Sequence, residues 1–169
     1  MTLRALAVLA LAGTSAQAEV PGLSWPDQST LTFEKTDASA RHEIATGPFG
    51  DTGLPTRKID GARVIEVRRT PHPFDPLEVI TGLKSQLVSL GYVAGFDCDA
   101  RECGGFDFRY ALDITHEPDM HVDLGNFHYL ALSNPTTGAH VSLLASSSSA
   151  NGFIELVSID GPGAPTSSP

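Results

Sequence analysis

Positive charge is scarce in this chain. Eleven Lys and Arg face 20 Asp and Glu in 169 residues, a formal net charge of -9. That balance excludes a nucleic-acid binder and a binder of anionic membranes, since both need a positive field. Long apolar runs are also missing: no stretch reaches the ~18 residues a membrane-spanning helix needs, so no transmembrane helix is expected. Cysteine stops at two, with no C-x-x-C redox motif, no C-x-x-C-H haem site and no second pair to complete a zinc site. There is no G-x-S-x-G turn and no visible Ser-His-Asp ordering, so no nucleophile stands out. What is present is 41% hydrophobic and 18% charged residues. That is a folding composition of a length that suits one domain.

The first 18 residues read as a Sec-type signal peptide. Residues 1–4 carry one positive charge, residues 5–13 are apolar, and Ala16-Gln17-Ala18 offers small residues for cleavage before Glu19. No cysteine follows the apolar run, so no acyl anchor is expected. The destination is the periplasm or the exterior. Without Arg4 the charge becomes -10, unevenly spread: residues 19–91 hold 10 acids and 8 bases, residues 92–169 hold 10 acids and 2 bases.

Cys98 and Cys103, spaced C-x4-C, are expected to form a structural disulfide in that oxidising compartment, pinning one turn between two strands. Strands are expected at 31–36, 41–46 and 62–69, with a Gly- and Pro-rich loop at 47–61. A helix opens at Asp75-Pro76-Leu77-Glu78, where Asp75 is an N-cap, Pro76 fits the first turn and Glu78 completes a capping box. Leu77, Ile80, Leu83, Leu87 and Leu90 recur at helical spacing, and Gly91 fits a left-handed cap. One lysine is too little polar-face charge for a membrane-surface helix. A strand follows at 92–97. Phe106, Phe108, Tyr110 and Leu112 alternate with polar residues, which predicts a strand with an aromatic core face. Strands at 127–133, 139–146 and 152–159, joined by short Asn- and Gly-containing turns, predict a meander. The expected class is α+β: an antiparallel sheet with a C-terminal β-meander and one main amphipathic helix packed on it. The domain should run over 19–160, and 161–169 reads as a flexible tail or linker.

Candidate metal ligands crowd the acidic and histidine-bearing segment 113–128. His116, Asp119, His121 and Asp123 have suitable donors at close spacing. Pro118 keeps them off a helix of the H-E-x-x-H type, and Asp97-Cys98-Asp99 lacks the glycine of a calcium loop. The competing reading is a solvated acidic loop. Arg63, Arg68 and Arg69 form the one basic cluster, with 63 and 69 on one strand face and 68 on the other. Their uses are ion pairs with the acidic half or an interaction surface for an anion. Any site is expected near 117–123 or the disulfide turn.

One run of residues carries a resemblance. It comprises Gly91-Tyr92, Cys98, Cys103-Gly104-Gly105-Phe106-Asp107-Phe108-Arg109, Met120-His121-Val122-Asp123-Leu124, Phe127-His128-Tyr129-Leu130, Val141-Ser142-Leu143-Leu144 and Gly152-Phe153-Ile154. Taken together it resembles the uncharacterised N-terminal domain found ahead of OmpA-like domains in exported alphaproteobacterial envelope proteins. The resemblance implies a cell-envelope, outer-membrane-associated setting and an envelope protein or cell-wall component as partner. The OmpA-like domain and its peptidoglycan-binding motif do not occur in this sequence, so that role attaches to no residue here. The expected function is a non-enzymatic periplasmic binding or interaction module with no catalytic residue and no cofactor. The alternative is a metal-dependent protein or hydrolase using 113–128.

Overall fold

The computed structural model describes residue 20 and residues 22–161; the expected signal peptide and residues 162–169 lie outside the described residues. The elements are β1 (Thr30–Ala45), β2 (Thr56–Thr70), α1 (Pro76–Ser89), β3 (Val93–Asp99), α2 (Ala100–Cys103), α3 (Gly105–Ala111), β4 (Phe127–Ser133), β5 (Ala139–Ser147) and β6 (Gly152–Asp160). All strands join one six-stranded sheet in the order β1-β2-β6-β5-β4-β3, and every pairing is antiparallel. The fold is therefore mainly sheet. The meander β4-β5-β6 is formed, and β2 docks on its outer strand.

Strand alternation divides the sheet into two faces. The outer face presents Leu130, Leu132, Val141, Leu143, Ile154 and Leu156, and Ile80, Leu83 and Leu87 of α1 cover it. The inner face presents Phe127, Tyr129, Leu144, Phe153 and Ile159, and Phe108 and Met120 close over it. Because the meander is covered on both sides, β4, β5 and β6 are buried along nearly their whole length.

Helix α1 starts and stops where its sequence dictates. Asp75 Oδ1 accepts from Leu77 N at 2.9 Å, with Pro76 in the first turn. The cap at α1 is one-sided. The capping box forms instead at α2, where Asp99 Oδ1 accepts from Glu102 N and Glu102 Oε2 accepts from Asp99 N. At the C-terminus Gly91 has φ 90°, its N–H donates to Val88 O, and Tyr92 N donates to Leu87 O, a Schellman arrangement. The stripe is shorter than expected, since Leu77 and Leu90 are exposed.

Four expectations need correction. The strands at 31–36 and 41–46 are one strand, β1, with register shifts near Leu31/Phe33 and Asp37/Ala40. Residues 56–61 belong to β2 rather than to a loop, because β1 supplies their ladder. The expected strand from Phe106 is helix α3. Gly104 and Gly105, both at positive φ, turn the chain after α2 so that α3 lies over the inner face, where Phe108 joins the core. In α3 only Phe108 is buried; Phe106 and Tyr110 are exposed four residues apart on one helix side, ring centroids 4.4 Å apart. Finally, the Cys98–Cys103 disulfide, Cα–Cα 5.3 Å, ties the last turn of β3 to α2 rather than one strand to another.

Candidate binding cavity and the polar network beneath it

The sheet coils strongly enough to bring its first strand over its fourth and fifth. Ala45 N on β1 donates to the Tyr129 hydroxyl on β4 at 3.1 Å. On the inner side of the same strand, His42 Nε2 lies 3.4 Å from Ser142 Oγ on β5. The end of β1 thus approaches β3, the far edge of the sheet, without pairing to it. Between these two edges lies a cavity of about 240 Å³ lined by Ile44, Ala45, Thr46, Arg57, Gly95, Phe96 and parts of β4 and β5, including His140. Gly95 adds no side chain to the β3 wall, where a Cβ would have room, its nearest neighbour being Ala131 O at 3.8 Å.

A polar network joins β1 and β2 to the inner face of the meander. His42 Nδ1 lies 3.1 Å from Asp113 Oδ2, and Arg63 bridges Asp113 at 3.8 Å and Asp37 at 2.8 Å. The Tyr129 phenol also meets the Ser142 hydroxyl, and burial pushes it well above the usual tyrosine range. Glu155 is 2% exposed and accepts from Thr115 N at 2.8 Å; burial pushes its carboxyl up. Asp113 is shifted the other way, chiefly by its hydrogen bond to His42. His140 is held below its usual range by burial and by the charge of Arg57. Buried polar side chains that find partners in this way specify the packing of the inner face.

Asp113, His42 and Ser142 lie in the order acid, imidazole, hydroxyl, an alignment the sequence hides behind separations of 71 and 100 residues. Ser142 is 7% exposed and lies on the second strand of the meander. It is not among the residues lining the cavity.

The expected metal ligands have local duties. His116 O accepts from Asp119 N and Met120 N in a turn. His121 Nδ1 lies 2.6 Å from Glu117 Oε1 and its ring packs on Phe153. Asp123 Oδ1 accepts from Gly125 N, while its own N–H donates to Ser146 Oγ. Among the described residues no three His, Cys, Asp or Glu side chains stand where they could hold a metal ion. His116, Asp119, His121 and Asp123 are not brought together.

The three arginines do not make one patch. Arg63 joins the inner network, Arg68 lies over the Trp25 ring at 4.5 Å, and Arg69 lies over Phe153 while donating to Asn151 Oδ1. A wider groove of about 570 Å³ adjoins the disulfide turn, with Asp75, Asp99 and Glu102 on its walls. All three carboxylates are engaged in capping helix N-termini. Sequence reasoning passed over Arg57, His42, His140, Ser142 and Glu155. The one local signal was Glu155, a lone charge inside the apolar strand run at 152–159.

No protein-family model matches the chain, and no curated protein matches it.

Proposed function

We propose that this chain is a non-enzymatic binding module of the cell envelope whose ligand site is the cavity between β1 and β3. The observation that carries this reading is the approach of the two sheet edges without pairing, which leaves a small pocket of mixed apolar and polar lining open to solvent. The leader-like first 18 residues and a disulfide whose cysteines are 2% and 0% exposed support an extracytoplasmic setting. The resemblance to the domain that precedes OmpA-like domains supports the envelope, with an envelope or cell-wall component as a further partner.

The test is a titration of the purified, 15N-labelled protein with hexanol and with hexanoate. Amide shifts centred on Ala45, Thr46, Gly95, Phe96 and Ser133 with either compound uphold the site. Shifts confined to 117–123 or to the groove by α2, or none with either compound, overturn it.

Hydrolysis is the second reading, favoured only by the Asp113–His42–Ser142 alignment. A fluorophosphonate probe decides it: labelling of Ser142 in the native protein would establish a reactive serine and overturn the binding-only reading.

A further inference from the structure

Most cations of the β1–β2 hairpin are matched to carboxylates. Lys35 pairs with Asp37 at 3.4 Å, Arg41 with Asp60 at 2.8 Å, Lys58 with Glu43 at 3.2 Å, Arg63 with Asp37 at 2.8 Å and Arg68 with Glu66 at 3.3 Å. Of the two remaining bases, Arg69 bonds Asn151 and covers Phe153. Among the described residues Arg57 has no carboxylate partner, and it stands on the lining of the cavity. In a chain with 20 acids and 11 bases, a guanidinium left unmatched beside Ile44, Phe96 and Ala131 makes a complementary site for an amphiphilic anion.

We propose that the cavity takes a small free amphiphile with a single anionic head, such as a short-chain monocarboxylate, its head against Arg57 and its tail along Ile44, Phe96 and Ala131. This rests on the cavity being the ligand site. Charge complementarity selects the head. The tail follows from the apolar part of the walls, whose burial of each methylene contributes about 0.8 kcal/mol. The volume of about 240 Å³ falls below the ~300–1,000 Å³ of sites for drug-sized molecules, which limits the guest to a short chain. His140 lines the same cavity beside Arg57 and is held toward its neutral form by burial and by that neighbour. It therefore offers a hydrogen bond to the head rather than a second charge.

The experiment compares hexanoate, hexanol, hexylammonium and acetate by calorimetry on the wild-type protein and on Arg57→Gln and Arg57→Lys. Hexanoate should bind tightest. Hexylammonium and acetate should bind least, the first for its charge and the second for its missing tail. Arg57→Gln should weaken hexanoate about tenfold, the scale of one charge-assisted contact, and leave hexanol unchanged; Arg57→Lys should recover part of the loss. Arg57 is exposed, so both variants should melt with the wild type. Equal binding of hexanoate and hexanol, or no effect of Arg57→Gln, overturns the anionic assignment while the cavity stands. Failure of both hexanol and hexanoate to bind overturns the site reading itself. A further arm offers vesicles carrying an anionic phospholipid: association with vesicles without binding of free hexanoate would replace the free ligand by a lipid and overturn the proposal.

Discussion

The imidazole of His42 and the hydroxyl of Ser142 meet at 3.4 Å although their strands, β1 and β5, are separated in the sheet by β2 and β6. A flat sheet would hold these strands roughly 14 Å apart, at about 4.8 Å per neighbour. The contact exists because the sheet coils across its inner face, and the coil also makes the cavity between β1 and β3.

His42→Ala should therefore lower stability. It removes the partner of Ser142 and of Asp113 from a site where His42 is 3% exposed. Losing the two hydrogen bonds of a buried imidazole costs about 1–3 kcal/mol, and urea unfolding should show a loss of that order. Asp113→Asn should cost less, because the Asp113 side chain is 57% exposed and solvent screens the pair. Equal costs for the two variants would mean that the network is not anchored on the imidazole.

Glu155 should make the protein less stable as pH rises. Its folded carboxyl titrates above the ordinary range because burial disfavours the charge. The native state then keeps a proton that the unfolded chain has released, so stability falls between the ordinary glutamate pKa and the raised one. Glu155→Gln retains an acceptor for Thr115 N and removes that dependence. The variant should match the wild type in acid and exceed it at neutral pH. Parallel curves of unfolding free energy against pH would contradict this.

Asp113 carries the opposite sign. Its carboxyl is lowered, chiefly by the hydrogen bond to His42, so its contribution is present above the ordinary aspartate pKa and is lost as pH falls through the lowered value. Asp113→Asn should flatten the acid limb of the same curve. A wild-type acid limb in that variant would remove Asp113 from the account.

Two glycines should respond in opposite directions. A Cβ at Gly152 would run into the Phe74 ring and stand 2.6 Å from Thr70 Oγ1. Gly152→Ala should therefore cost about 1–3 kcal/mol by overpacking. Gly82 lies inside α1 with nothing within 4 Å of a Cβ; Gly82→Ala should stabilise by about 0.5–1 kcal/mol through helix propensity. Thermal unfolding of both variants measures this, and a shift of the same sign in both would refute it.

The Cys98–Cys103 crosslink closes a short loop. The double variant Cys98→Ser, Cys103→Ser should lose about 2 kcal/mol through the unfolded chain's regained freedom, with a further cost for two hydroxyls in a buried site. Native protein under reductant should resist maleimide until it unfolds, since the cysteines are 2% and 0% exposed. Labelling of the native protein as fast as of the unfolded chain would contradict the burial.

Local chemistry made several elements legible in the sequence. Asp75, Pro76 and Gly91 bound α1 because capping acts within a few residues. The β-branched and apolar runs at 127–133, 139–146 and 152–159 read as strands because turns at 134–138 and 147–151 separate them, and they became the core meander. The segment 106–112 misled because alternation over a few residues does not by itself separate a strand from a short helix. After the left-handed Gly104 and Gly105 the same residues wind into α3 and bury Phe108 alone against the inner face.

The amino-acid sequence by itself determined the charge asymmetry, the ends of α1, the three meander strands and the cysteine pairing, all of which depend on neighbours along the chain. Tertiary structure decided which distant side chains meet. Crowding of His116, Asp119, His121 and Asp123 in sequence does not bring them into one site, because an irregular segment aims successive side chains in different directions. His42, Asp113 and Ser142, scattered over a hundred positions, converge because a coiled antiparallel sheet carries its first strand across the inner face of its fourth and fifth. The same coil leaves Arg57 on the wall of the cavity, unmatched by any carboxylate among the described residues.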